Sequence, residues 1–369
     1  MMRRPPLLLT LGFHGADGLA CLSRELAGAL VEQDPDLGVE VWSLSDGAAF
    51  MDEGFATRPD DAKISVRVAR GSRIRFVSWT LGEVLASQHD RLVVVVHANL
   101  APLALGFTAR GARYIQVLVG IEVWKRLSPL QTRALERASR LVSISAYSAS
   151  KFREANPAFA DHDAVICHPG LPQGDSDRHA ATHVGEAERP FALIVGRMSS
   201  EERYKGHDLL LEIWNDVTKR QPDAELVVVG GGDDRNRLEQ KARALKLSGS
   251  VRFVGQVDDS TLETLYRECA FFIMPSRGEG FGLVFLEAMR AGKLCVGGEG
   301  APSEIIENGV TGFVVAPDDR ERLGDLVVEL FGKPEKRRAM GAEARRRFEA
   351  QFTTARFRER FLSALSRAS

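Results

Sequence analysis

Short apolar runs rich in β-branched residues alternate along the chain with stretches whose apolar positions recur at the helical period. In the first half, the runs predict strands at Pro6–Leu11, Val39–Leu44, Leu92–His97, Tyr114–Val119 and Leu141–Ile144. Amphipathic stretches such as Leu19–Val31 and Pro129–Ala138 predict helices between them. Strands that are apolar along their whole length are typical of parallel sheets with helices on both faces. The pattern therefore predicts an α/β fold.

A polar segment at residues 161–190, rich in Gly, Pro and His, interrupts this alternation and is interpreted as an interdomain linker. Beyond it the alternation restarts, with strands predicted at Phe191–Val195, Ala224–Val229, Val251–Val254, Ala270–Met274 and Leu294–Gly297. Helices are predicted at His207–Lys219, Asn236–Leu245, Ser260–Cys269, Gly282–Ala291, Asp319–Phe331, Lys333–Ala350 and Thr354–Ser366. We therefore expect two doubly wound domains, residues 1–170 and 191–351, with residues 171–190 between them. Ligands of such sheets bind at the carboxyl ends of the strands.

The composition excludes several classes of protein. Of 369 residues, 44% are hydrophobic and 27% are charged, which argues against a disordered or a collagenous chain. No apolar run reaches the roughly 18 residues that a transmembrane helix needs. The first residues match a core strand better than a signal peptide. The 4 cysteines lie far apart without a CxxC pair, which is typical of reduced thiols in a cytoplasmic protein.

The net charge of −1 conceals an uneven distribution. Residues 1–62 carry 4 Lys and Arg against 11 Asp and Glu, whereas residues 63–153 carry 15 against 4. Such a basic region suggests an anionic partner, for which phosphate groups, anionic lipid and nucleic acid all qualify. Nucleic acid is the least favoured, because no recognised binding module is present and the sequence pI is near 6.7.

The segment Met274–Gly292 carries the strongest local signal. A predicted strand ends at Met274, a glycine-rich loop follows, and a helix is predicted to start near Gly282. Unpaired amides at a helix N-terminus bind phosphate, and glycines let a ligand approach the backbone. Glu279 and Glu287 offer carboxylates that accept hydrogen bonds from pairs of sugar hydroxyls. The alternative is that both glutamates are solvated surface charges.

The segment Val195–Trp214 likewise follows a predicted strand. It presents Arg197 in a loop and Lys205 just before a helix. An arginine fork and a mobile lysine charge together suit a diphosphate. The alternative is a solvated basic loop.

Together these segments resemble the family-4 retaining glycosyltransferases. Glu279 and Glu287 match the family's E-x7-E signature, and Gly196–Arg197 with Lys205–Gly206 match its donor diphosphate site. Further matches, in the family's order, are Val227–Gly232, Val251–Gly255, Pro302–Ile306 and Asn308–Phe313, with Gly18 and Gly120–Trp124 in the first half. The resemblance is specific across residues 191–317 and looser before them.

The resemblance implies a GT-B fold, in which two Rossmann-like domains face each other across a cleft and a final helix, residues 352–369, crosses back to the first domain. The first domain would bind the acceptor and the second a UDP- or GDP-sugar, with no metal and no cofactor. Arg197 and Lys205 would neutralise the departing diphosphate. Glu279 would bind the donor sugar and Glu287 the ribose. The other donor-binding positions implied are Gly18, Val254, Gly280, Phe281, Gly282, Leu283 and Val284.

One position departs from the family's pattern. Members commonly carry a histidine before the Gly-x-Glu segment, and this chain has Val119 there. Activity is not thereby excluded, because retaining transfer in this family is often explained by the leaving phosphate taking the acceptor's proton. His97 and His14 are substitute candidates, although a histidine at a strand end is often structural. Glu122 is a further candidate catalytic residue.

A second cluster of charges lies in the first half. Arg67, Arg70, Arg73 and Arg75 lead into apolar residues that include Trp79. Interleaved cations and apolar side chains suit an anionic membrane surface, and the alternative is a solvated basic face.

The resemblance therefore implies a retaining, metal-independent hexosyltransferase. It would move a hexose from a UDP- or GDP-sugar to a glycan or lipid-linked acceptor in surface polysaccharide biosynthesis. We expect it in the cytoplasm, peripheral on the cytoplasmic face of the inner membrane. The alternatives are a non-catalytic nucleotide-sugar-binding subunit, which Val119 favours, and a GT-B epimerase or phosphorylase. A dinucleotide dehydrogenase is not favoured, because no GxGxxG follows a strand with an acidic residue about 20 positions later.

Overall fold

The chain divides into two units, each built on one parallel sheet. The computed structural model describes residues 4–15, 17–46, 63–86, 91–174 and 189–366. Unit 1 comprises residues 1–170 and 354–369, and unit 2 comprises residues 171–353.

The sheet of unit 1 has the strand order β3-β2-β1-β4-β5-β6-β7, and every described pair is parallel. Its strands are β1 (Leu7–Thr10), β2 (Val39–Ser43), β3 (Ile64–Val68), β4 (Leu92–Val96), β5 (Arg113–Leu118), β6 (Arg140–Ser143) and β7 (Ala164–Ile166). Its helices are α1 (Gly18–Gln33), α2 (Arg73–Ala86), α3 (Ala101–Thr108), α4 (Pro129–Leu135) and α5 (Ala146–Ala155). The order reverses between β1 and β4, whose side chains are almost wholly buried. That reversal places the loops after these two strands side by side, where α/β sheets bind ligands.

The sheet of unit 2 has the order β10-β9-β8-β11-β12-β13, again parallel throughout its described pairs. Its strands are β8 (Phe191–Val195), β9 (Glu225–Val229), β10 (Val251–Gly255), β11 (Phe271–Met274), β12 (Cys295–Gly298) and β13 (Gly312–Val315). Its helices are α6 (His207–Arg220), α7 (Arg235–Ala244), α8 (Asp259–Glu268), α9 (Leu283–Arg290), α10 (Pro302–Ile305), α11 (Arg320–Gly332) and α12 (Pro334–Gln351). Here the order reverses between β8 and β11, which pair at Phe271 with Ala192.

The final helix, α13 (Thr354–Ser366), belongs to unit 1, as the resemblance implied. Phe357 and Phe361 on its buried face stack on each other with ring centroids 6.2 Å apart. Its Arg358 reaches α1, where Nε lies 3.7 Å from a carboxylate oxygen of the buried Glu25. A Cβ at Gly28 would lie 2.3 Å from the Arg358 guanidinium, so the glycine leaves room for this contact.

The predicted α/β fold class is confirmed, and the predicted strands and helices agree with the observed ones to within a few residues at each end. Five elements of unit 1, β3, α2, α3, α5 and β7, and two of unit 2, α10 and β13, were not predicted. β3 is an edge strand whose side chains alternate between exposed and half-buried, so it lacks the continuous apolar run of the central strands. The interpretation of residues 161–190 as linker is wrong at its start, because Ala164–Ile166 pairs with β6. Residues 175–188 of the predicted linker lie outside the described residues.

Candidate functional site

The predicted donor-binding residues of unit 2 lie mainly in two loops at the reversal point of its sheet. β8 leads into the loop that carries Arg197 and Lys205, and the neighbouring strand β11 leads into the loop that carries Glu279. Both loops therefore lie at the position where doubly wound sheets bind ligands. Burial explains this placement, since the two strands are apolar along their length and deliver the first polar residues at their carboxyl ends.

The backbone on either side of Arg197 is held by two glycines of the turn after β9. Gly230 has φ +131°, and a Cβ on it would lie 2.1 Å from the carbonyl oxygen of Gly196. Gly232 has φ +147°, and a Cβ on it would lie 2.0 Å from the carbonyl oxygen of Met198. Only glycine allows so close a backbone approach at these angles, so this turn fixes the loop that presents Arg197.

The two loops also contact each other. The Arg277 amide donates to the Tyr204 carbonyl oxygen at 2.8 Å. Gly206 lies against Pro275, whose carbonyl oxygen would be 2.8 Å from an added Cβ. The basic loop and the acidic loop therefore form one surface within unit 2.

Arg197 and Lys205 both bind Glu202, which the sequence analysis did not single out. Arg197 donates to the Glu202 carboxylate through Nη2 and through Nε, the latter at 3.3 Å, and Lys205 Nζ donates to Oε2 at 3.0 Å. The Arg197 side chain is 69% exposed, whereas those of Lys205 and Glu202 are 15% and 16% exposed. Burial raises the pKa of Glu202, but the hydrogen bonds from Arg197 and Lys205 outweigh it and leave that pKa below its usual range. The local spacing, a glutamate three residues before the lysine, is the signal that could have identified this contact.

Glu279 has the opposite environment. Its Oε2 is buried without a hydrogen-bond partner among the described residues. Burial raises the pKa of Glu279 to about 7, with the charge of Lys205 opposing the shift and that of Glu202 adding to it. A buried carboxylate oxygen without a donor is costly, and a ligand hydroxyl would supply one.

The loop that carries Glu279, Gly280 and Phe281 leads through Gly282 into helix α9. Gly282 precedes it with φ +101°, and no side chain caps this end of the helix. The first amides of a helix have no intrahelical acceptor and carry partial positive charge, so the amides of Leu283 and Val284 suit an anion. Phe281 is buried against Phe352, with ring centroids 6.2 Å apart. Gly280, Phe281 and Gly282 thus lie in the same loop as Glu279, and Leu283 and Val284 are the first residues of the helix that follows it.

Glu287 lies one turn further along α9 and is oriented by a tyrosine. The hydroxyl of Tyr266, a buried residue of α8, donates to Glu287 Oε2 at 2.7 Å. Burial raises the pKa of Glu287, and the tyrosine hydrogen bond opposes the shift. Tyr266 is a second contact that the sequence analysis missed, because it lies 21 residues away in sequence.

Val254 lies at the end of edge strand β10, where the pairing with β9 shifts register between Phe253 and Gly255. The strand order places β9 between it and β8. No described contact joins Val254 to the two loops, so its predicted place beside a nucleotide base stays a prediction.

Four predicted residues, His14, Gly18, His97 and Glu122, lie in unit 1, in the segments that follow strands β1, β4 and β5. Gly18 starts α1, next to the N-cap Asp17, and follows the loop after β1. His97 directly follows β4 and has φ +94°, a strained angle for a residue with a Cβ, and its Nδ1 accepts from the Asn99 amide at 3.2 Å. Burial lowers the pKa of His97 to about 4, and the charge of Lys125 adds to the shift. The imidazole is therefore neutral near pH 7.

Glu122 binds the backbone of its own turn after β5. Its Oε1 accepts from the Val119 amide at 2.7 Å. Burial raises the pKa of Glu122, against the backbone hydrogen bonds that lower it. The carboxylate therefore holds the turn at Val119, the position where the resembling family carries histidine. Its predicted catalytic role stays a prediction.

The basic surface predicted for a membrane divides into two parts. Trp79 packs on the buried Trp42, with ring centroids 6.1 Å apart, and Arg67 covers both rings at 4.8 Å and 5.6 Å. Trp79 is therefore half-buried and packs against the core of unit 1. The outward face of α2 is instead apolar, with Ile74 85% exposed and Leu85 73% exposed. The other members of this face are Val77 and Leu81, and the exposed Arg70, Arg73 and Arg75 lie at its N-terminal end.

No group of three His, Cys, Asp or Glu side chains among the described residues is arranged to hold a metal ion. None of the helices within the described ranges is both long enough and apolar enough to cross a bilayer.

Comparison with known proteins identifies related sequences. Residues 175–347 match the family model described as glycosyl transferases group 1. The chain is 31% identical over 282 residues to the GDP-mannose-dependent alpha-(1-6)-phosphatidylinositol monomannoside mannosyltransferase of Mycolicibacterium smegmatis, covering 71% of this chain and 72% of that protein. It is 28% identical over 272 residues to the lipopolysaccharide core biosynthesis mannosyltransferase LpcC of Rhizobium leguminosarum, covering 72% and 71%.

Solved structures give the same fold. HepE of Anabaena in complex with UDP superposes with a TM-score of 0.75 at 20% identity, covering 98% of this chain and 99% of that one. This likeness confirms the predicted GT-B fold class.

Proposed function

This chain belongs to the group 1 glycosyltransferases, and we propose that it is a retaining hexosyltransferase that takes GDP-mannose as donor and a glycolipid or glycan as acceptor. The observation that carries the proposal is that two cations, Arg197 and Lys205, and the buried Glu279 carboxylate oxygen that lacks a described hydrogen-bond partner lie in adjoining loops at the reversal point of the unit 2 sheet. Cations suit a diphosphate, and the carboxylate suits the hydroxyls of a sugar.

GDP-mannose is the donor we place first, because the M. smegmatis relative is named for it and LpcC is named as a mannosyltransferase. UDP-sugars come second, since HepE was crystallised with UDP. Glu287 suits the ribose hydroxyls in either case, because ribose is common to both nucleotides.

The chemistry follows from where charge develops. The bond between the sugar C1 and the phosphate oxygen breaks, the acceptor oxygen bonds to C1 on the same face, and the acceptor's proton passes to the leaving phosphate. The sugar passes through an oxocarbenium-like state while negative charge grows on the diphosphate. Arg197, Lys205 and the first amides of α9 stabilise that charge most in the transition state. Because these groups supply fixed positive charge, we propose that the reaction needs no metal.

We further propose that the acceptor is reached at an anionic membrane on the cytoplasmic side. The apolar outward face of α2, with arginines at one end, is typical of helices that lie in the plane of a membrane interface. The 4 cysteines are free, which suits a reducing compartment.

Membrane binding is tested by sedimentation with vesicles of phosphatidylcholine, with and without phosphatidylglycerol. We expect binding only to the anionic vesicles and its loss in Leu81→Gln. Leu130→Gln, which changes a similarly exposed leucine on α4, is the matched control. Equal binding to neutral vesicles, or equal loss in both variants, would contradict this part of the proposal.

Donor use is tested by thermal shift with GDP, UDP, GDP-mannose and UDP-glucose, with and without EDTA. A ligand that binds only the folded state raises the melting temperature. We expect the shift to be largest with the guanine nucleotides, unaffected by EDTA, and lost in Arg197→Ala but retained in Arg252→Ala, an exposed arginine paired with Glu225. Turnover is then followed with GDP-mannose and a lipid extract, and the product's anomeric configuration is read by NMR.

No shift with any nucleotide would refute the donor assignment. Binding without turnover would favour the alternative of a non-catalytic nucleotide-sugar-binding subunit, and an inverted product would refute the retaining mechanism. Epimerised or phosphorolysed sugar would point to the GT-B epimerase or phosphorylase.

A further inference from the structure

The Glu202 carboxylate binds Arg197 and Lys205, the two cations that we assign to the donor's diphosphate. It accepts from Arg197 at two nitrogens and from Lys205 at 3.0 Å. A planar carboxylate and a tetrahedral phosphate both present pairs of oxygen acceptors, and the fork of an arginine side chain binds either one. Glu202 therefore offers the cations an anion of the same kind as the ligand.

The backbone holds Glu202 in this position. Residues Ser200–Lys205 form a 3-10 turn whose dihedral angles are not helical at Glu202, with φ −116° and ψ 27°. The Glu202 amide donates to the carbonyl oxygen of Ser199 at 2.9 Å, and its side chain is only 16% exposed. The contact is thus built into the loop rather than made by a freely moving surface charge.

We propose that Glu202 is an internal counter-anion that competes with the donor's diphosphate for Arg197 and Lys205 and so limits donor affinity. The inference rests on the proposed function, since it takes these cations as the diphosphate site. Binding of the diphosphate replaces the carboxylate as the partner of both cations and brings like charges together. The same competition weakens the hold on the nucleoside diphosphate product, whose release limits the turnover of many enzymes.

An orienting role for Glu202 predicts the opposite sign. If the carboxylate only positioned Arg197, its removal would free the guanidinium and weaken binding. If it competes, its removal tightens binding. At about 5 Å, repulsion between the carboxylate and one phosphate charge corresponds to about a fourfold change in affinity even in the dielectric of bulk water.

The experiment measures the dissociation constants of inorganic pyrophosphate and of GDP by titration calorimetry on the full chain. The variants are Glu202→Gln, which keeps the shape of the side chain and removes the charge, and Glu202→Ala, which removes both. Glu201→Gln is the matched control, because it removes an exposed carboxylate from the same turn without touching the Arg197–Glu202–Lys205 cluster.

We expect both Glu202 variants to bind pyrophosphate and GDP at least about fourfold more tightly than wild type, and the Glu201 control to bind like wild type. A misfolded loop cannot raise affinity, so a gain separates competition from structural damage. Unchanged or weaker binding in the Glu202 variants, with wild type binding GDP, would overturn this inference and leave the proposed function standing. Failure of wild type and variants alike to bind either ligand would overturn both.

Discussion

The burial of the Glu279 carboxyl predicts how the free energy of unfolding depends on pH. Burial raises its pKa from the ordinary 4.5 to about 7 in the folded chain. The folded protein therefore holds this proton more tightly than the unfolded chain does. Below about pH 4.5 the carboxyl is protonated in both states and costs no stability. Stability is lost as the pH rises from about 4.5 to about 7, and the loss is constant above about pH 7.

The size of the penalty follows from the shift. At 1.36 kcal/mol per pKa unit, the charged carboxylate destabilises the donor-free protein by up to about 3 kcal/mol above pH 7. Glu279→Gln replaces the charge by a neutral amide of the same shape. We expect this variant to be more stable than wild type at pH 8, by up to that amount, and close to wild type at pH 5, while its turnover falls about a hundredfold through loss of the donor-sugar contact.

The assay is urea denaturation of the full chain at pH 5 and pH 8, followed by tryptophan fluorescence. The buried Trp214 reports on unit 2, and its signal is isolated by replacing the tryptophans of unit 1 with phenylalanine in every protein compared. Glu201→Gln, which removes an exposed carboxylate from the same unit, is the control. If Glu279→Gln is no more stable than wild type at pH 8, or if its gain is the same at both pH values, the argument from burial is refuted.

Three further predictions address neighbouring contacts. Tyr266→Phe removes the hydroxyl that binds Glu287, and we expect GDP to bind about fivefold more weakly, with no such loss for 2′,3′-dideoxy-GDP, as measured by calorimetry. Gly232→Ala places a Cβ on a residue with φ +147° against backbone, so the melting temperature should fall by the equivalent of about 3 kcal/mol, whereas Gly249→Ala, which meets no atom within 4 Å, should change it little. Phe361→Ala on the buried face of α13 should cost about 3 to 5 kcal/mol in the free energy of unfolding of unit 1, measured by chemical denaturation.

The sequence predicted the central strands well because burial on both faces leaves a continuous apolar signal. β4 and β8 are of this kind, and their ends were placed within a residue or so. β3 and α2 were missed for the converse reason. β3 lies at a sheet edge with polar side chains on one face, and α2 exposes apolar residues that a buried helix would hide.

The residues of the candidate site could be predicted where a charged side chain lies in a loop between a predicted strand and a predicted helix. Arg197, Lys205 and Glu279 follow strands and precede helices, so a single stretch of sequence is enough to identify them. The contacts among side chains were not predictable in the same way. Tyr266 reaches Glu287 across two helices, and nothing in the spacing of the two residues indicates it.

The surface of α2 was predicted only in part from the sequence. A tryptophan beside arginines was interpreted as part of an outward-facing membrane surface, but Trp79 packs on Trp42 beneath the Arg67 guanidinium. Composition alone gives the residues of such a segment and not the face on which each lies. The helical period assigns Ile74 and Leu85 to the opposite side from Trp79, and the exposures follow that period.

Two carboxylates near Lys205 have pKa values shifted in opposite directions, and one arrangement explains both. Lys205 donates a hydrogen bond to Glu202, which together with Arg197 lowers the pKa of that carboxyl despite burial. Glu279 receives only the field of Lys205 and not a hydrogen bond, while the charged Glu202 opposes that field, so burial prevails and its pKa rises. Groups whose environments separate their pKa values are typical of sites that use one of them charged and one neutral. Because burial, with a smaller contribution from the charge of Glu202, raises the pKa of Glu279 to about 7, both protonation states are populated near neutral pH, and the protonated carboxyl can donate a hydrogen bond to a sugar oxygen.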